Sequence, residues 1–173
     1  MSMTQAPYTF LREGEGKSIW VMGGLMTIKA GLETTGNGYA FTERLLRPGY
    51  GQPAHIHRLE DETIILLEGN ITGTCGDQHW EATPGSFVFL PRGIAHSFQI
   101  AGTGPAHLYM IFSPAGFERF YEEQGVPAKE LTLPPPEGFD PLSKARMLAL
   151  SAKYQLEFQG PLALLEDVAS IFV

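Results

Sequence analysis

Turn residues punctuate the middle of this chain at short, nearly regular intervals. Pro48-Gly49, Gly69-Asn70, Gly76-Asp77, Thr83-Pro84-Gly85, Pro91-Arg92-Gly93 and Gly102-Thr103-Gly104-Pro105 divide residues 39–112 into strand-length runs. The runs are rich in aromatic and β-branched residues, such as Thr63-Ile64-Ile65-Leu66-Leu67. Strands recurring about every 8–12 residues between Gly/Pro turns are the pattern of a sandwich or barrel. The expected fold class is therefore all-β. Ser18–Met22, Leu25–Ile28 and Tyr39–Arg47 read as the first strands, and Ser97–Ile100 and His107–Phe112 as the last. Ser86-Phe87-Val88-Phe89-Leu90 is continuously apolar, which predicts a strand covered on both faces.

The turns also frame a cluster of ligand-type side chains. Gly49-x5-His55-x-His57-x4-Glu62-x6-Gly69 is one block, and Gly85-x5-Pro91-x-Gly93-x2-His96 is a second. Alternate side chains of a strand share a face, so His55 and His57 point the same way, about 6.5–7 Å apart along the chain. Arg58-Leu59-Glu60-Asp61 is a charged bend that returns the chain beside them. Glu60, Asp61 and Glu62 compete for the ligand role, and Glu62 is preferred because it lies on the strand. His96 starts a strand just after a tight turn, which fixes its direction. Three imidazoles and one carboxylate suit Fe, Ni, Co, Mn, Cu or Zn rather than Mg or Ca, which prefer all-oxygen shells. The expected cofactor is one divalent transition metal ion per chain on His55, His57, Glu62 and His96. His79 and His107 have no partner at ligand spacing and read as ordinary strand residues.

Strand parity extends from these ligands to a pocket. Glu62 inward carries Ile64 and Leu66 inward. His96 inward carries Phe98 and Ile100. On Tyr39–Arg47 the face of Tyr39, Phe41 and Glu43 is expected inside, because it holds the larger apolar area and keeps Arg44 away from a cationic metal. Phe87 with Phe89, and Met110 with Phe112, add apolar wall. A mostly apolar pocket with one charged centre is the usual form of a small-molecule site. It suits a flat aromatic ligand better than a sugar.

The two blocks resemble the two cupin motifs. The first agrees at Gly49, His55, His57, Glu62 and Gly69, and the second at Gly85, Pro91, Gly93 and His96. The second departs where the motif's asparagine is Ile100. Residues 24–31 and 116–125 resemble single-domain quercetin 2,3-dioxygenase-like cupins. The resemblance implies a double-stranded β-helix, or jelly-roll barrel. It also implies a divalent transition metal, oxidative opening of a flavonol ring, and a catalytic role for Glu62 as base towards a substrate hydroxyl. The expected activity is a metal-dependent dioxygenase acting on a small aromatic enol or phenol with O₂. Two rivals are a metal-dependent isomerase or lyase on a small oxygenated metabolite, and a non-catalytic small-molecule-binding cupin. The resemblance further implies a homodimer.

The remaining features bound these readings. A chain of 173 residues, 43% hydrophobic, makes one domain with a sizeable core. The net charge of -7 argues against a nucleic-acid partner. No apolar stretch reaches membrane-spanning length. The single Cys75 excludes an intramolecular disulfide and fits a reducing compartment. Together with the absence of a leader-like N-terminal pattern, this gives a cytoplasmic expectation. Residues 1–17 read as an arm, 18–113 as the barrel and 114–173 as a helical extension packed on it. Ser113 and Pro114 supply a cap and first position for one helix that Gly125 stops, with Phe117, Phe120 and Tyr121 on one face. Asp140-Pro141 repeats the signal for a second, ending near Tyr154 with Leu142, Ala145, Leu148, Ala149 and Ala152 as its apolar stripe. The terminal Phe172-Val173 is apolar enough to pack on a neighbouring subunit.

Overall fold

In the structure, a computed structural model, residues 8–135 and 144–159 are described. Strands follow one another with few interruptions: β1 Lys17–Val21, β2 Gly24–Ala30, β3 Ala40–Leu46, β4 Gly51–His57, β5 Asp61–Glu68, β6 Asn70–Cys75, β7 Gln78–Ala82, β8 Phe87–Leu90, β9 His96–Ala101 and β10 Ala106–Ser113. Short β11 (Val126–Pro127) and β12 (Leu156–Phe158) come later. Helices α1 (Leu32–Thr35), α2 (Glu118–Glu122) and α3 (Lys144–Lys153) stand outside the sheets.

The strands form two antiparallel sheets, β11-β1-β2-β3-β10-β5-β8 and β12-β4-β9-β6-β7. They make a β-sandwich rather than a closed barrel. Antiparallel strands with one face on the core alternate apolar and polar. Thus β10 buries Ala106, Leu108, Met110 and Phe112, and β5 buries Glu62, Ile64 and Leu66. Across the second sheet β9 contributes His96, Phe98 and Ile100, and β6 contributes Ile71. Gly69 turns β5 into β6 at φ +87°, and a Cβ there would stand 2.7 Å from the Pro105 carbonyl. Only glycine meets both constraints.

Four expectations need correction. The inward face of β3 is Ala40, Thr42, Arg44 and Leu46, all fully buried, while Tyr39 is 47% exposed and Phe41 half-buried. Register decides this: Ala40, Thr42 and Arg44 pair with Phe112, Met110 and Leu108, and directly paired residues share a face. The larger side chains are satisfied outside, where Phe41 packs on Tyr109 at 4.9 Å and Glu43 holds Lys29 and His107. Next, β8 is covered on one face only. It is the edge strand of its sheet, and Phe87 and Phe89 are 67% and 53% exposed.

Third, the first helix does not start at Ser113-Pro114. Its N-cap is Phe117, and Ser113 instead ends β10 with its hydroxyl donating to the Gly38 carbonyl. Pairing with β5 extends to Ser113 and holds the chain extended past the sequence cap. Fourth, α3 packs through Leu150 and Ser151 with Met147, while Ala149 and Ala152 are exposed. The Asp140-Pro141 cap, Leu142, the Ala145 side chain, residues 1–7 of the arm and Phe172-Val173 lie outside the described residues.

Candidate metal centre

Three strands deliver the cluster. His55 and His57 come from β4, Glu62 from β5 and His96 from β9, each buried. His55 is directly opposite His96 in the β4–β9 ladder, and their rings stand 4.4 Å apart. The turn that aims His96 is closed by Gly93, whose N–H donates to the His57 carbonyl at 2.8 Å, tying the two motif blocks together. Glu62 reaches across from the other sheet, its Oε2 3.2 Å from His57 Nε2 and 3.6 Å from His96 Nε2. One donor atom from each of the four side chains lies within 4.8 Å of the others.

The tautomers follow from the outer contacts. His55 Nδ1 lies 2.8 Å from the Pro53 carbonyl and His96 Nδ1 3.0 Å from the Ile94 carbonyl. A carbonyl only accepts, so both Nδ1 atoms carry the proton and both Nε2 lone pairs are available. His57 Nδ1 faces the buried Glu60, with Oε2 at 3.6 Å. All three rings thus have an outer acceptor beside Nδ1, the arrangement that orients metal-ligating imidazoles.

The charges are set by the same neighbours. Burial alone would raise the Glu62 carboxyl, but the His57 and His96 imidazoles hold it well below the usual carboxylate range. Burial, helped by the neighbouring His57 and His96, pushes His55 down to about 3 and keeps it neutral. Burial acts to lower His57, but Glu60 and Glu62 outweigh it and raise that ring. Both Glu62 oxygens and His96 Nε2 are buried without a hydrogen-bond partner. Such groups cost stability unless something satisfies them. A divalent cation would satisfy all of them together, so the donor set fits a transition metal.

Of the expected pocket residues, Ile64, Leu66, Phe98, Ile100, Met110 and Phe112 share the sandwich interior with the ligands. Phe112 stands 5.7 Å from the His57 ring. Tyr39 and Phe41 do not belong to this interior; they border a shallow surface depression with Lys29 and Thr35. The cavity that opens against His55 and His57 is small, about 20 Å³, and has a different wall: Gln52, Phe117, Phe120, Tyr121, Leu156 and Phe158. Phe117 presents its face or edge to His57 at 4.3 Å, with the planes nearly perpendicular, and Phe158 lies 6.4 Å from His55.

These wall residues were readable only in part. The apolar face of α2 is evident from Phe117, Phe120 and Tyr121, but its docking over the cavity is a tertiary fact. Gln52 would face away from His55 by strict alternation. A bulge between Gln52 and His55 adds one residue to β4 and turns both inward. Pro53 inside the strand was the available signal, since proline in a strand marks an edge or a bulge. His79 is exposed on β7, and His107 bonds Glu43 Oε1 at 2.7 Å. Asp61 pairs with Arg92, which removes it as a ligand candidate.

A profile of the cupin domain matches residues 43–112, the span that carries all four donors. The chain carries a cupin domain over that span. Quercetin 2,3-dioxygenase of Bacillus subtilis (strain 168) is 29% identical to this cupin over 96 residues, which are 54% of the chain. They are only 28% of that relative, so the cupin spans about a quarter of its length. Among solved structures, a predicted oxalate decarboxylase from Thermotoga maritima superposes with TM-score 0.55 at 20% identity, covering 61% of this chain and 99% of that one. An RmlC-like cupin from Shewanella frigidimarina NCIMB 400 gives the same score at 17% identity, covering 66% and 99%. At these identities the two structures establish the fold alone. No described helix is long and apolar enough to cross a membrane.

Proposed function

We propose that this cupin is a metal-dependent dioxygenase of quercetinase-like type, acting on a small aromatic enol or phenol. The observation that carries the reading is the buried His55, His57, Glu62 and His96 donor set, of which His55 and His57 face an aromatic wall. The similarity to quercetin 2,3-dioxygenase supports the reaction type. A bound divalent ion would supply Lewis acidity, stabilising the anion of a substrate hydroxyl, and a place for O₂. The three imidazoles would hold it as neutral ligands through their Nε2 atoms. Glu62 has no hydrogen-bond donor on either oxygen, which leaves one free to take the hydroxyl proton. Phe117 and Phe158 flank the imidazoles and exclude water from them. Because the cavity is about 20 Å³, admission of an aromatic ring requires β12 or α2 to move aside.

A second reading is a metal-dependent isomerase or lyase on a small oxygenated metabolite. It is favoured by the same small volume and by the polar side chains of Gln52 and Tyr121 in the wall. Oxygen consumption by the metal-reconstituted protein, screened over flavonols, catechols and smaller enols, separates the two. Uptake of O₂ with loss of the aromatic substrate supports the dioxygenase. Turnover without O₂ uptake supports the isomerase or lyase. Tight binding with no turnover of any compound supports a non-catalytic carrier. We also propose a homodimer, the commonest closed assembly.

A further inference from the structure

Arg44 lies inside the sandwich with no exposed surface, among the largest fully buried side chains of the described residues. No carboxylate pairs with it among the described residues. Its guanidinium rests on the face of Tyr121, with Cζ 4.8 Å from the ring centroid, and its Nη1 meets the Met110 sulfur at 3.8 Å. Nε and Nη2 have no hydrogen-bond partner, and the Tyr50 hydroxyl is the further polar neighbour of the guanidinium. These two atoms form one edge of the guanidinium, the fork that receives both oxygens of a carboxylate.

The surroundings connect this fork to the metal centre. Tyr121, beneath the guanidinium, also lines the cavity against His55 and His57. Gln52 lines the same cavity and donates through Nε2 towards the hydroxyls of Tyr50 and Tyr121, at 3.5 and 3.4 Å, while its Oε1 is unpartnered. Both Arg44 and Glu62 act electrostatically on the Tyr50 and Tyr121 hydroxyls, so the four groups share one interior. Charge points the same way. A divalent ion at the histidines is matched by the carboxylates of Glu62 and Glu60. Arg44 then remains as one buried cation without a counter-charge, and buried charges in native proteins are ordinarily paired.

We propose that Arg44, with Gln52 and Tyr121, is an anion-recognising subsite, and that the ligand of this cupin is a small carboxylate-bearing enol or phenol. Its carboxylate meets the Arg44 fork and its hydroxyl oxygen faces His55, His57, Glu62 and His96. Tyr121 and Gln52 shift to connect the cavity with the fork. The inference rests on the metal-centre reading above and narrows its substrate class.

The test is calorimetric binding of 2-hydroxybenzoate and of its neutral counterpart 2-hydroxybenzamide to the full chain, both Co(II)-loaded and metal-free. The expected result is at least about a tenfold preference for the acid in the Co(II)-loaded form, and a smaller one in the metal-free form, where Glu60 and Glu62 oppose a second anion. Arg44→Met abolishes the preference and Arg44→Lys retains part of it, with Co(II) stoichiometry unchanged. Tyr121→Phe and Gln52→Leu serve if the Arg44 variants do not fold, and each weakens the acid several-fold and the amide less. Equal binding of acid and amide by the unaltered protein overturns the proposal. So does a preference that survives in Arg44→Met, or in both alternative variants. Displacement of 2-hydroxybenzoate by millimolar chloride also overturns it, since the fork is then a holder for an inorganic ion. Oxygen uptake with neutral flavonols beside acid-blind binding would leave the dioxygenase reading standing and remove this one alone.

Discussion

Replacing Glu60 by Gln keeps the shape of a buried side chain and removes only its charge. Glu60 Oε2 is 3.6 Å from His57 Nδ1, and neither atom has another hydrogen-bond partner. Two full charges at that distance interact by about 4–5 kcal/mol at an effective dielectric of roughly 20. The His57 ring acquires only part of a unit charge when its Nε2 binds an ion. A share of roughly one third gives about 1.5 kcal/mol, or about tenfold in affinity. Loss of an outer carboxylate partner typically costs about 10–100-fold in metal affinity. Chelator competition with Co(II) or Zn(II) should therefore show Glu60→Gln weakened within that range, with His107→Ala unchanged. An unchanged affinity would mean that Glu60 does not orient His57. Complete loss of metal from a folded Glu60→Gln protein would mean that Glu60 is itself a ligand, against the assignment of Glu62.

Other perturbations test separate parts of the account. Ile100 is 2% exposed in the core, so Ile100→Asn should cost about 1–3 kcal/mol for a poorly satisfied buried amide and leave metal stoichiometry intact. A melting temperature equal to the unaltered protein's would show that the position is wet. Burial acts to raise the Glu43 carboxyl, but Lys29 and His107 outweigh it and hold it below its ordinary value of 4.5. Its contribution is thus present above that pH and lost as pH falls through the folded value. Urea melts between pH 3 and 7 should show a shallower acid loss for Glu43→Gln, and parallel curves would contradict this. Light scattering at micromolar concentration should give twice the 19.0 kDa chain mass, and a single-chain mass would reject the homodimer.

The two Gly/Pro-framed blocks made the strands and the four donors legible, because turn chemistry and strand alternation are local. Parity then carried Ile64, Leu66, Phe98 and Ile100 to the correct face without further information. It failed where the answer depended on a neighbour. The face of β3 was set by its register with β10, and the apolar area of Tyr39 and Phe41 pointed the wrong way. The bulge in β4 reversed the parity of Gln52. Strand β12 was missed because Leu156-Glu157-Phe158 carries no strand signal of its own and is formed by pairing with β4, His57 opposite Leu156. Phe158 and Phe117 entered the site by the same kind of long-range docking. Glu60 was weighed only as a rival ligand, since nothing in a bend of three acidic residues distinguishes an orienting carboxylate from a coordinating one.

Elemental analysis of the purified protein tests the central claim most directly, read together with a His57→Ala and a His79→Ala variant. The arrangement of His55, His57, Glu62 and His96 predicts about one divalent transition ion per chain. It predicts loss of most of that ion in folded His57→Ala and none of it in His79→Ala. Full metal content in His57→Ala would contradict the account, as would failure of the unaltered protein to take up Fe, Ni, Co, Mn, Cu or Zn on reconstitution.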